Sequence, residues 1–194
     1  MRALVVIITA LVLALGSSAQ FTSIPQVFQE RWFMPSGGCS GSTGGNAWDY
    51  PAAAAPDTAA CAGTSYQRGI VPFSNSADAS ATFSVVLPER WSGNIDINVV
   101  GYANATSASF QLDISTICIA ASEDILNPTF NTVQSVVQVS PGTANQRFLF
   151  TQTALTVTGC AVNEELIIKV KREIDDTATA TLNITGAYLD VRHQ

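Results

Sequence analysis

After Tyr66 the chain is written in short runs where apolar and polar residues alternate, the two-residue period of a half-buried β-strand rather than the 3.6-residue period of a helix. Phe83, Val85 and Leu87 alternate with Thr82, Ser84 and Val86, and Pro88 then stops the run because it has no N–H for a ladder. Glu89 to Gly93 reads as a turn, and Ile95, Ile97 and Val99 alternate with Asp96, Asn98 and Val100, so the pair predicts a hairpin. Phe110, Leu112 and Ile114 lead into Cys118. Further strands are predicted around Val133 to Val139, Phe148 and Phe150, Leu155 and Val157, Leu166 to Val170, Leu182 and Ile184, and Leu189 and Val191. Residues 120–128, with Glu123, Asp124 and a terminal Asn-Pro, break the pattern and read as a crossover loop or a short helix. Eight or nine short strands at this spacing predict an all-β, two-sheet antiparallel sandwich, jelly-roll-like.

Residues 20–65 lack either period. A Gly/Ser patch over 36–45 and an Ala/Pro patch over 51–56 cannot bury a face, so an irregular N-terminal segment, disulfide-bonded and packed on the sandwich of residues 66–194, is expected. It is rich in rings: Trp32, Phe33, Trp48 and Tyr50 stand among turn residues. Such rings either plug the end of a core or form a contact surface.

Residues 1–19 change the setting. Arg2, an apolar run from Ala3 to Leu15, Gly16 and Ser17-Ser18-Ala19 have the order of a signal peptide cut before Gln20, which predicts a secreted, extracellular or periplasmic protein. That run is shorter than a bilayer span of roughly 20 residues, so no membrane insertion is expected after cleavage. With 9 Lys and Arg against 15 Asp and Glu, a net charge of −6 disfavours a phosphate backbone as partner, and nucleic acid is not expected. The 4 cysteines, Cys39, Cys61, Cys118 and Cys160, form an even set suited to an oxidising compartment. Three connectivities are possible, and pairing Cys39 with Cys61 and Cys118 with Cys160 keeps each bond within one compositional region. Close Cys-x-x-Cys pairs are missing and there is 1 histidine, so a zinc site is not expected.

The run Leu87-Pro88-Glu89-Arg90-Trp91-Ser92-Gly93, and the later strand from Leu166 to Arg172 with its acidic turn Glu173 to Asp176, resemble uncharacterised exported bacterial β-sandwich proteins. A similar strand and turn pattern occurs in β-sandwich domains of phage structural proteins. The resemblance spans about Arg31 to Arg192. It implies a fold and a non-enzymatic role, and no catalytic residues.

Candidate chemistry is thin. His193 is next to the C-terminal residue, and neither Gly-x-Ser-x-Gly nor a phosphate-binding glycine loop occurs. A glycosidase needs two carboxyls roughly 5 to 10 Å apart. Asp49, Glu89, Asp96, Asp113, Asp175 and Asp176 are conceivable members, although strand and turn acids mostly face water. Glu173, Asp175 and Asp176 form a weak calcium candidate, and no cofactor is expected. Trp32, Trp48, Tyr50 and Trp91, all in expected loops, are the candidate ligand-binding rings. The first expectation is thus a secreted or cell-surface structural or interaction protein without catalytic activity, with a protein partner or self-assembly. Second is a carbohydrate-binding module using the loop rings on a glycan. A carboxylate-dependent hydrolase comes third.

Overall fold

The computed structural model describes residues 28–35, 37–40, 43–46, 48–49, 60–62, 68–75, 78–123 and 129–193. The expected signal peptide, residues 1–19, and Tyr50 lie outside them, as do the side chains of Cys39 and His193. The strands are β1 (Phe28–Pro35), β2 (Gly37–Ser40), β3 (Thr43–Asn46), β4 (Ala60–Ala62), β5 (Arg68–Phe73), β6 (Ala79–Val86), β7 (Trp91–Ala103), β8 (Ser109–Ile119), β9 (Gln134–Val139), β10 (Arg147–Leu155), β11 (Glu165–Arg172) and β12 (Leu182–His193).

Two antiparallel sheets form the sandwich. The larger runs β10-β7-β12-β5-β4, with β1 paired to the other half of β12, and the smaller runs β6-β11-β8-β9. From β5 onward most connections pass from one sheet to the other, the hallmark of a jelly-roll-like path. The inward residues are those the alternation selects. Phe83, Ile95, Ile97, Val99, Phe110, Leu112, Ile114, Phe148, Phe150, Leu166, Ile168, Val170, Leu189 and Val191 are all buried between the sheets. Leu166, Ile168 and Val170 of β11 meet Cys118, Thr116 and Ile114 of β8 in register, so one apolar stripe continues into the next.

Three sequence expectations need correction. The Pro88 to Gly93 turn does not make a hairpin: β6 pairs with β11 while β7 pairs with β10 and β12, so the turn arches between sheets. Both strands carry a full apolar face, and an arch lets those faces meet across the core, where a hairpin would place them side by side. Residues 182–184 and 189–191 belong to one strand, β12, because a bulge between Ile184 and Gly186 shifts the inward parity from Leu182 and Ile184 to Ala187, Leu189 and Val191. A similar break between Gln152 and Leu155, with Ala154 at φ 51°, moves Leu155 inward in β10. Finally, Phe28 to Pro35 is not irregular: its ladder along β12 from His193 to Gly186 makes it part of the larger sheet. Rings and charges hid its alternation, since Trp32 and Met34 face the core while Arg31 and Phe33 face out.

Gly186 makes that docking possible. Its φ of +146° and its closeness to β1, with a Cβ there 2.6 Å from the Met34 carbonyl oxygen and 2.8 Å from the Phe33 ring, exclude any side chain. Cys118 and Cys160 are bonded, tying the end of β8 to the loop before β11. Cys61 is also disulfide-bonded.

Candidate functional site

The outer face of the larger sheet is where the chain departs from an ordinary solvent-facing surface. Because Ala187, Leu189 and Val191 point inward, Tyr188, Asp190 and Arg192 of β12 point out. By the same parity β7 presents Asp96, Asn98 and Tyr102, β10 presents Arg147, Leu149 and Thr151, and β1 presents Arg31 and Phe33. Phe33 remains 40% exposed and packs against Tyr188 with ring centroids 4.8 Å apart. Two guanidinium carbons flank the same tyrosine, Arg31 at 5.9 Å and Arg147 at 5.7 Å from its ring centroid. The result is a ring cluster held open by cations.

Charge on this face is ordered by pairing. Asp96 and Asp190 are direct cross-strand partners, which for two carboxylates is unfavourable unless each is neutralised. Arg31 grips Asp190 side-on, Nε to Oδ1 at 2.6 Å and Nη2 to Oδ2 at 2.8 Å, and Arg192 reaches Asp96 at 3.3 Å. The Asp190 bond raises the pKa of Arg31 further. Asp96 Oδ1 also accepts from the Ala154 amide, and Thr151 donates to Asn98. Beyond Arg147 the face dips into a groove of about 430 Å³ lined by Ala62, Arg68, Tyr102 and Asn145, and burial raises the Tyr102 phenol. Among the described residues, Arg68 and Arg147 have no acidic partner.

The ring candidates read from sequence are placed elsewhere. Trp48, 3% exposed, stacks on Phe83 with centroids 4.7 Å apart and plugs the core, held by the bridge between Asp49 and Thr82; it offers no ligand surface. Trp32 packs against the core from the inner side of β1 and donates its Nε1 to Glu30. Trp91, at the start of β7, also packs against the core and its Nε1 is buried. Tyr50 lies outside the described residues. Sequence reasoning did not place Phe33 on this face, nor Arg31, Arg68, Tyr102, Arg147 and Tyr188; the signal was their parity opposite the buried positions.

The acidic candidates are dispersed. Asp176 pairs with Arg172 at the end of the core, Glu173 pairs with Lys171 at 2.7 Å, and Asp175 is exposed, so the calcium candidate does not converge. No group of three metal-ligating side chains occurs among the described residues. Asp96 lies on the larger sheet and Asp113 on the smaller, and Glu89 is an exposed turn residue. On the smaller sheet Asp113 and Glu173 act on each other beside Lys171, which pairs with both Glu173 and Asp78.

No family model matches the chain, and no curated protein matches it. Solved structures do. A family 35 carbohydrate-binding module from Cellvibrio japonicus aligns with 13% identity over 82% of this chain and 92% of its own, at a TM-score of 0.46. A family 36 module of a multidomain xylanase from the hindgut metagenome of Trinervitermes trinervoides aligns with 10% identity, 82% and 96% coverage and a TM-score of 0.42. A family 27 module studied for mannan recognition aligns with 10% identity, 87% and 99% coverage and a TM-score of 0.40. At such identities the likeness is one of fold. These similar solved structures are carbohydrate-binding modules, the class of the second expectation, and not structural or self-assembling proteins, the class of the first.

Proposed function

We propose that this chain is an exported, non-catalytic glycan-binding protein whose ligand lies on the outer face of the larger sheet. The observation that carries the reading is the Phe33 ring, exposed on a sheet face and fixed by Tyr188 between two guanidinium groups. A sugar ring has one face of C–H bonds and a rim of hydroxyls. An exposed aromatic takes the first, and a fixed set of donors and acceptors takes the second. Asn98, Thr151 and Asp96 supply that set within one sheet face. Export is supported by the leader-like residues 1–19 and by the disulfide between Cys118 and Cys160.

Affinity electrophoresis of the purified chain through gels holding single polysaccharides tests the reading. At least one polysaccharide should retard the protein, and Phe33→Ala and Tyr102→Ala should each lose about tenfold in affinity, the loss expected on truncating a central aromatic anchor by about 1.4 kcal/mol. Unretarded migration through xylan, mannan, galactan, cellulose and pectic gels would overturn it. So would unchanged retardation of both variants.

A further inference from the structure

We infer that the glycan is acidic, and that Arg147, whose guanidinium stands over the Tyr188 ring, binds the carboxylate of a uronic acid residue. The inference rests on the glycan-binding reading and specifies its ligand class. It starts from charge: among the described residues, Arg31, Arg68, Arg147 and Arg192 share the outer face of the larger sheet with Asp96 and Asp190, whereas the whole chain has 15 acidic against 9 basic residues. This face is cationic on an anionic protein, so it concentrates anions that the remainder repels.

The second step is the contrast between the two arginines on Tyr188. Arg31, from β1, and Arg147, from β10, stand over the ring at nearly equal distance. The Arg31 fork is filled, bidentate, by the carboxylate of Asp190. Arg147 has an acidic partner nowhere among the described residues, and its cross-strand neighbour is Tyr102, which lines the groove with Arg68 and Asn145. The face therefore shows, in Arg31, the geometry in which it holds a carboxylate, and repeats the guanidinium at Arg147 without one. A planar fork stacked on a ring is pre-organised for a planar carboxylate and less suited to a single hydroxyl. Asn145, held at φ 62° with its N–H on the Ala103 carbonyl, sets the groove wall where a sugar hydroxyl would sit. A carboxylate belonging to a sugar satisfies both halves of the site, ring beside Tyr102 and charge on Arg147. The Coulomb attraction is exposed, so it weakens with salt.

The experiment is isothermal titration of the full chain with oligogalacturonate, with the same oligomer methyl-esterified at its carboxyls, with glucuronic-acid-bearing xylan and alginate oligomers, and with neutral xylan, mannan and galactan oligomers. At least one uronate ligand should bind tenfold or more tighter than its esterified or neutral counterpart, and raising salt from 50 to 500 mM should shrink that ratio. Arg147→Gln should remove the preference while leaving the weaker neutral binding in place, and Arg147→Lys should retain only part of it, because the charge survives and the fork does not. Equal affinity for charged and uncharged partners, or an Arg147→Gln variant that loses both alike, overturns the acidic assignment and leaves the glycan reading standing. No heat with any oligomer, charged or neutral, overturns both. Arg147 is exposed, so the variants are expected to melt with the parent, and a melt of each in the same buffer separates lost binding from lost fold.

Discussion

Arg172 and Arg147 show one side chain used in opposite ways. Arg172 ends β11, is 1% exposed and has every donor engaged: Nε and Nη2 on the Asp176 carboxylate at 2.8 and 2.9 Å, and the other N–H groups on the carbonyls of Phe73, Ala180 and Ala178. Its carbon stands 5.1 Å over the Phe110 ring. Arg147 also lies over a ring, yet is exposed and without an acidic partner among the described residues. The first is a latch that folds residues 173–181 onto the open end of the core, and the second is the group to which the proposal assigns the ligand's carboxylate. Stability and recognition thus sit on separate guanidinium groups, and variants can separate them.

The largest effect belongs to the latch. Arg172→Met strands Asp176, 2% exposed in its side chain, inside the core end, and breaking one partner of such a pair costs about 3–5 kcal/mol. Thermal unfolding should fall by roughly 10 °C for a chain this size. Arg147→Met should stay within about 0.5 kcal/mol of the parent, as surface substitutions do. If the two variants melt alike, the division between latch and ligand group is wrong.

Next in size is Gly186→Ala, which strikes the support beneath the ring cluster. A Cβ at 2.6 Å from the Met34 carbonyl, on a backbone at φ +146°, should cost about 1–3 kcal/mol. The loss should be local: amides of Arg31 to Met34 should exchange faster, and Phe33 should lose its seat on Tyr188, while the β6-β11-β8-β9 sheet keeps its protection. Uniform loss of protection across both sheets would show that β1 is integral to the fold rather than an applied edge.

The difference between latch and ligand face also explains what the chain disclosed on reading. The inward residues announce themselves, since one buried face of a strand is a two-residue pattern in hydrophobicity, and the strands and the sandwich follow from it. The Cys118 to Cys160 bond followed from compositional region alone. Pairing partners were less visible. A turn opened by Pro88 looks the same whether it closes a hairpin or arches between sheets, so β6 to β7 was misread. The ligand face was hidden for a different reason: Arg31, Tyr188 and Arg147 come from strands far apart in sequence, and only the β1-β12-β7-β10 order brings them together. Rings in loops drew attention first, yet Trp48 fills the core because a large apolar ring near an open sandwich end gains more by burial than by exposure. Asp176 looked like an ordinary turn acid because no local pattern marks its buried ion pair with Arg172.

The smallest effect tests whether the other outer face is truly self-satisfied. On the smaller sheet, Lys171 bridges Asp78 at 2.8 Å and Glu173 at 2.7 Å, and Asp113 accepts from Ser135 at 2.6 Å. Asp78 is held below its ordinary 3.8 chiefly by the Lys171 bond. Burial pushes Asp113 up, but its bonds with Ser135, Glu173 and Gln111 together bring it below 3.8. For Glu173 the Lys171 bond pulls down, and the Asp113 bond, burial and the Asp113 charge together outweigh it, so Glu173 lies above its ordinary 4.5. The signs then differ. Asp78 and Asp113, lowered on folding, contribute stability above about pH 4 that is lost as pH falls below it, whereas Glu173, raised, contributes below about pH 4.5 and loses that contribution as pH rises through its folded value. The cluster is most favourable between the two, and with these groups partly exposed the swing should stay below about 1 kcal/mol. Carbon-13 titration of the carboxyls should find Glu173 above 4.5 and both aspartates below 3.8. A Glu173 midpoint at or below 4.5 would mean that Lys171, not Asp113, governs it. The smaller sheet would then carry a simple salt bridge, and its charges would be as open to solvent partners as those around Arg147.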